Sequence, residues 1–303
     1  MIQGLLIQAA LALAPSLPRS AAESLARATA RLAFAFPSKR RSAVESNLEW
    51  IAESGRLTAE SAGALDRTAR SIFENYHRFV LEYLAQGSLD SRALDTRFRF
   101  RGMEILYRAL GRGHGAVVVA PHVGNWELAG IALARLGFRV HVVTGVQFHA
   151  RFASSARLLK ERERILVSTP AEGFRPLLRT LGRSGVVVLL TDGDVFVRSL
   201  ETEFFGRRVR FPVGPALLAR RSGAAILHAH AERSRAGGHV VVFDGAELPR
   251  RELPLKQDLR RLTRRVAEIQ ERTIAAHLEE WCIFRPVFAN GSGAPAGPRR
   301  DAA

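Results

Sequence analysis

Ala116-Val117-Val118-Val119-Ala120-Pro121-His122-Val123-Gly124-Asn125-Trp126-Glu127-Leu128 is the stretch whose reading decides the fold. Its first five residues are apolar without alternation, the pattern of a strand buried on both faces. Pro121 closes the run. Gly124 lets the backbone fold tightly and Asn125 is a natural N-cap, so a helix is expected over Glu127–Leu136. A buried strand running straight into a helix is the opening half of a parallel crossover unit.

The pattern repeats outward. Short apolar runs at Val140–Val143, Val186–Leu190, Ala225–His230 and Val240–Phe243 read as further strands. Helical stretches separate most of them, at Phe152–Glu163, Phe174–Leu181 and Pro215–Arg221. The fold class expected is α/β, a mostly parallel sheet flanked by helices. Upstream, Ala21–Phe36, Ser42–Ile51, Ala59–Leu84 and Met103–Leu110 read as helices, giving a helical N-terminal extension. Lys256–Trp281 has Leu259, Leu262, Val266, Ile269 and Leu278 at helical spacing. The tail from Asn290, rich in Gly, Pro and Ala, is expected to be disordered. No internal repeat is visible.

Composition narrows the function. The 303 residues carry 45 Lys and Arg against 29 Asp and Glu, a net charge of +16. Such a field attracts polyanions, either nucleic acid or an anionic membrane surface, although a GC-rich genome also inflates Arg. Stacking aromatics are sparse, with three Tyr and three Trp, and no RNA-binding signature accompanies them, so no nucleic-acid partner is expected. The single Cys282 excludes a disulfide framework. No Gly-x-Ser-x-Gly elbow and no Walker loop occurs.

Residues 1–41 combine three features. Met1–Ala14 is uncharged and apolar but shorter than the roughly 20 residues that span a bilayer. Ser20–Phe36 sets Leu25, Ala28 and Leu32 on one face and Arg27 and Arg31 on another. Lys39, Arg40 and Arg41 follow. Together they suggest a segment lying in the membrane interface; the alternative is a helix docked on the protein's own core. The expected organisation is an interfacial segment at 1–41, a catalytic domain at 42–289 (helical to 112, sheet-containing from 113) and the tail at 290–303.

Ligands of parallel α/β sheets bind at the carboxyl ends of strands. Two such ends are chemically rich: Ala120–Leu128, and Leu190-Thr191-Asp192-Gly193-Asp194. His followed five positions later by an acid is weak by itself, since nine His and 29 acids in 303 residues give about one chance match. Three occur: His77 with Glu82, His122 with Glu127, and His239 with Asp244. Five helical positions leave side chains about 140° apart, which removes the first. An odd offset in a strand puts side chains on opposite faces, which removes the third. His122 and Glu127 span a strand-to-helix turn, where the Glu can reach back to the imidazole. A carboxylate on one ring nitrogen fixes the tautomer, and the other nitrogen can then take a proton from an alcohol. The bland reading is a loop histidine and a Glu complementing the helix dipole.

Pro121–Glu127 resembles the His-x4-acid motif of glycerolipid-type acyltransferases. It is most similar to the branch that holds the lipid A late acyltransferases and the phosphatidylinositol mannoside acyltransferases. Asp192-Gly193-Asp194, Phe204-Phe205-Gly206, Pro212-Val213-Gly214-Pro215-Ala216, Ser46-Asn47-Leu48 and Trp281–Phe288 with Arg285 agree with that branch in order, from about residue 40 to 288. The resemblance implies direct transfer of a fatty acyl group from acyl-CoA or acyl carrier protein to a hydroxyl of a membrane glycolipid or lysolipid. His122 would be the base with Glu127 behind it. Arg162, or else Arg164, and Asp192 would position head group or donor. Asn125, Asp194, Pro212 and Gly214 complete the expected substrate-binding set, and Arg207 with its neighbours Arg208 and Arg210 would meet phosphates. No metal or other cofactor is expected. Anionic lipids are the expected surface, and the place implied is the cytoplasmic face of the bacterial inner membrane, in monotopic attachment. The rival readings are a metal-dependent glycosyltransferase built on Asp-Gly-Asp and a non-catalytic basic binding module.

Overall fold

The computed structural model describes residues 16–55, 64–85, 96–145, 157–192, 198–234 and 237–287. The apolar run at 1–14, Asp194 and the tail from 290 lie outside these residues.

Three helices come first: α1 (Arg19–Ala35), α2 (Lys39–Glu53) and α3 (Leu65–Leu84). β1 (Phe98–Arg101) and α4 (Met103–Leu110) lead to β2 (Ala116–Ala120), α5 (Trp126–Arg135), β3 (Val140–Val143) and β4 (Leu166–Ser168). α6 (Arg175–Leu181) and β5 (Val186–Leu190) follow, then the hairpin of β6 (Ser199–Phe204) and β7 (Arg207–Pro212). α7 (Gly214–Ser222), β8 (Ala225–Arg233), β9 (His239–Glu247) and α8 (Leu255–Ala276) complete the order.

Seven strands form one sheet in the order β1-β9-β8-β2-β5-β3-β4. The five from β8 to β4 are mutually parallel, and β9 runs antiparallel to β8. β2 shows why the central run is continuously apolar. Val117 and Val119 join a core with Leu48, Ile51, Ile72 and Phe73 of α2 and α3 and Leu262 and Val266 of α8. Ala116 and Val118 join the opposite core with Leu106 of α4 and Leu128 and Ala132 of α5. Each strand face is thus covered by helices, and each fully buried Val contributes on the order of 2 kcal/mol. α1 packs on the body through Ala26, Ala30 and Phe34, leaving Leu25, Leu32 and Phe36 exposed.

The β6–β7 turn is Phe205-Gly206, with φ of 49° and 73°. Positive φ at both central residues gives the tight turn whose twist suits a hairpin. Phe205 is held there by burial and by its N–H, which donates to Glu271 Oε1 at 2.8 Å. Phe-Phe-Gly is therefore explained locally by the fold.

The topology also locates the site. From β2 the chain goes to β3 and β4 on one side. From β5 it goes to the hairpin and then to β8 on the other. The carboxyl ends of neighbouring β2 and β5 therefore flank a switch point, where ligands of such sheets bind.

Candidate active site

β2 and β5 are paired in register, with Ala120 opposite Leu190. Thr191 N–H then donates to Ala120 O at 3.2 Å, carrying the pairing one step past the strands. One residue further on each chain stand His122 and Asp192. Asp192 Oδ1 lies 2.6 Å from His122 Nδ1, and Oδ2 accepts the His122 backbone N–H at 2.7 Å. Trp281 Nε1 donates to the same Oδ2 at 2.7 Å. Burial of Asp192 would raise its pKa, but the facing imidazole and the three donors outweigh that and hold the carboxyl below its ordinary value. An ionised carboxylate makes Nδ1 the protonated nitrogen of His122 and leaves Nε2 with a lone pair. The imidazole is 19% exposed, and Trp126 meets it edge to face at 4.9 Å.

This corrects the expected geometry. Glu127 does not reach back to His122; its carboxylate bonds Lys160 Nζ at 2.9 Å. The physical reason is direction. Glu127 is the second residue of α5, and on that helix it faces the segment at 157–162 and not the turn behind it. Lys160 is buried and also donates to Tyr83 Oη at 3.3 Å. Lys160, and not Arg162 or Arg164, is the residue of this run that contacts Glu127. Arg162 and Arg164 are both exposed, as follows for Arg162 from lying about 200° around the helix from Lys160.

Asn125 caps α5, its Oδ1 accepting from Leu128 N–H at 3.2 Å, and its Nδ2 donates to Glu82 Oε2 at 2.9 Å. Glu82 also receives Arg233 and lies 3.4 Å from His239 Nε2. Burial would raise the Glu82 pKa, but His239 and Arg233 together push it far below the carboxylate range. His77 bonds Thr29 Oγ1 at 2.8 Å. Neither of the two discarded His–acid pairs forms: His77 turns away from Glu82, and His239 meets Glu82 in place of Asp244.

The turn itself is clamped from the C-terminal side. Val123 bridges Trp281, Gly124 N–H donates to Glu280 O at 3.0 Å, and Cys282 N–H donates to His122 O at 2.8 Å. That pairing needs an extended Trp281, so α8 stops at Ala276 and does not run on to 281. Asn47 holds the next residues, donating to Arg285 O at 2.9 Å and accepting from Val287 N–H at 3.0 Å. The early Asn-Leu and closing Trp segments thus meet in space.

Other expected residues have structural partners. Arg207 lies 3.4 Å over the Trp50 ring and pairs with Glu53 at 2.6 Å. Pro212 ends β7, and Gly214 starts the largely buried α7. The Asp192 oxygens are occupied by donors of the protein itself, which argues against a metal-binding Asp-Gly-Asp at this residue.

A His held by a buried carboxylate at the carboxyl end of a parallel strand fits proton abstraction from an alcohol. Comparison with known proteins adds the family: the profile described as bacterial lipid A biosynthesis acyltransferase matches residues 2–290. The chain belongs to this family. It is similar, at 29% identity over 248 residues, to a phosphatidylinositol mannoside acyltransferase of Mycobacterium tuberculosis (strain ATCC 25618 / H37Rv), covering 76% of this chain and 73% of that protein. It is 25% identical over 225 residues to the protein of the same name from Mycolicibacterium smegmatis, covering 73% and 72%. As a member of the lipid A biosynthesis acyltransferase family, the chain is an acyltransferase enzyme acting in lipid biosynthesis. The geometry shows contacts that spacing did not: Asp192 as the partner of His122, Trp281 as the donor that holds Asp192, and Lys160 as the partner of Glu127. Asp192 and Trp281 stand in segments that the family resemblance marks, but nothing along the chain pairs either of them with His122.

Proposed function

We propose that the chain transfers a fatty acyl group from acyl-CoA or acyl carrier protein to a hydroxyl of a membrane glycolipid, with His122 as general base. The observation that carries this is the His122–Asp192 pair, with Nδ1 held at 2.6 Å and the ring partly open to solvent. Nε2 removes the proton from the acceptor hydroxyl, and the oxygen attacks the thioester carbonyl. The tetrahedral intermediate collapses, the thiolate leaves, and the imidazolium returns its proton to the sulfur. Asp192 fixes the tautomer and stabilises the imidazolium. Glu127 acts through Lys160, keeping a buried cation in place beside the catalytic turn. The reaction needs no metal or other cofactor.

The glycolipid acceptor is supported by the family's lipid A description and by the relatives' name, phosphatidylinositol mannoside acyltransferase. Among the described residues no helix is long and apolar enough to cross a membrane. Attachment as a monotopic protein on the cytoplasmic face of the inner membrane brings the site to both substrates. The test is acyl transfer from radiolabelled acyl-CoA or acyl carrier protein to phosphatidylinositol mannoside and to a lipid A precursor. One of them should be acylated by the wild type and not by His122→Ala. Equal transfer by the variant would overturn the mechanism, and transfer to neither acceptor would overturn the substrate class.

A further inference from the structure

A second cluster lies apart from the His122 pair. Alternation along β8 puts His230 and Glu232 on one face of the strand. α8 ends at Ala276, and His277 at its cap leaves the helical region with φ of −129°. Its ring comes beside that of His230, centroids 5.0 Å apart. His277 Nε2 lies 3.5 Å and His230 Nε2 4.0 Å from the same oxygen, Glu232 Oε2. One ligand atom from each of the three lies within 4.8 Å of the others, and among the described residues no other group of three His, Cys, Asp or Glu side chains converges this way.

Two His and one carboxylate make a donor set suited to zinc and its neighbours. Zinc bonds of about 2.0–2.1 Å place tetrahedral ligand atoms roughly 3.3 Å apart. Side-chain rotations of about an ångström close the site. The Glu232 oxygen not facing the imidazoles accepts from Arg101, an outer contact that orients a ligating carboxylate. Neither imidazole makes a hydrogen bond among the described residues, although the His230 side chain is only 9% exposed and its Nδ1 is buried without a partner. A buried imidazole without a hydrogen bond is costly; a cation on Nε2 gives the ring one partner, while Nδ1 stays unmet.

We propose that His230, Glu232 and His277 bind a zinc-class divalent cation, with water as the fourth ligand. The cation ties β8 to the segment that leads from α8 into Trp281. It is a structural brace, and the inference stands whether or not the acyl-transfer mechanism above is correct.

The experiment uses untagged full-length protein, stripped with chelator and titrated with Zn²⁺ and with Co²⁺. Bound metal is counted by mass spectrometry after dialysis, and the Co²⁺ complex is read by its visible absorption. The wild type should retain one ion per chain, show the intense bands of tetrahedral Co²⁺, and melt higher with Zn²⁺ than without. His277→Gln and His230→Gln, each checked for fold by circular dichroism, should lose at least tenfold in affinity and the melting shift. Should either His variant misfold, Glu232→Gln supplies the same reading. His122→Ala should keep the ion. No stoichiometric ion on the wild type, or an ion lost in His122→Ala and kept in His277→Gln, would overturn the proposal.

Discussion

Asp192 accepts both the backbone N–H and the ring Nδ1–H of His122, at 2.7 and 2.6 Å. One carboxylate therefore fixes the place and the tautomer of the imidazole together. Asp192→Asn keeps the shape, but a side-chain amide cannot accept on both sides as the carboxylate does. The turnover number should fall on the order of 10²-fold or more, with KM changing far less, since the loss falls on proton transfer and not on binding. Glu127→Gln leaves the His122 bonds intact and should cost much less in turnover. Steady-state acyl transfer by both variants decides between the acids. A larger loss in Glu127→Gln than in Asp192→Asn would return the role behind His122 to Glu127.

Gly124 is the backbone requirement of the turn that carries His122. Its φ is 65°, and a Cβ there would lie 1.8 Å from Ala231 O. Gly124→Ala combines left-handed strain of about 1–2 kcal/mol with a backbone clash. It should destabilise by more than about 2 kcal/mol in total. Gly130, on α5 in the same region, has nothing within 4 Å of such a Cβ. Gly130→Ala should be neutral or stabilise by up to about 1 kcal/mol. Urea midpoints of the two variants should move in opposite directions, or at least differ widely. Equal midpoints would show that the turn tolerates displacement.

How much of this was legible varies by element. The strands Ala116–Ala120, Val140–Val143 and Val186–Leu190 have the boundaries read from the sequence, because strands covered on both faces are mostly apolar; His141 interrupts one of them, with its ring nitrogens met by Thr180 and Ser168. The hairpin Ser199–Pro212 was not legible: Glu201, Glu203, Arg207, Arg208 and Arg210 give it a charged surface. β4 is three residues long, too short to show any period. At the site, His122 was legible from the strand-to-helix turn. Its acid was not, because the partner is chosen by the register of β2 against β5, 70 positions away. Spacing along the chain favours Glu127, and spacing across the sheet selects Asp192. The cluster of His230, Glu232 and His277 was missed for the same reason, since His277 arrives from the far end of α8.

Acid stability should report the buried carboxylates. Asp192 and Glu82 both have folded pKa values held below their ordinary ones by their partners, against the opposing effect of burial. A depressed folded pKa gives stability that is complete above the unfolded value, about 4, and is lost as pH falls through the folded value. Urea midpoints should therefore fall as pH drops below about 5. Glu82→Gln, which cannot ionise, should flatten that slope while lowering stability at neutral pH, where Arg233 loses its counter-charge. An unchanged slope in Glu82→Gln would mean that other acids carry the transition.

The membrane face is the last expectation, and the structure changes how it must be tested. Removing residues 1–41 would strip Ala30 and Phe34 from the main core, so lost vesicle binding would not separate a missing anchor from a damaged fold. α1 offers a cleaner variant. Leu25, Leu32 and Phe36 are 43%, 61% and 63% exposed. Leu25 and Leu32, seven residues apart, lie along one side of the helix, next to the buried stripe of Ala26, Ala30 and Phe34, and Phe36 follows at its C-cap with extended backbone. Lys39 and Arg40 follow and are exposed too. Apolar insertion together with basic attraction gives firm attachment where either alone is marginal, and each well-placed Lys or Arg adds about 1 kcal/mol on an anionic surface. The triple variant Leu25→Ser, Leu32→Ser, Phe36→Ser leaves the buried stripe untouched. It should keep its melting temperature and bind vesicles containing anionic phospholipid at least tenfold more weakly. High salt should weaken the wild type only in part, because insertion is not screened, and should release the triple variant almost fully. If the triple variant binds as the wild type does, α1 is not the membrane face. If the wild type ignores anionic vesicles, attachment through this surface is wrong altogether.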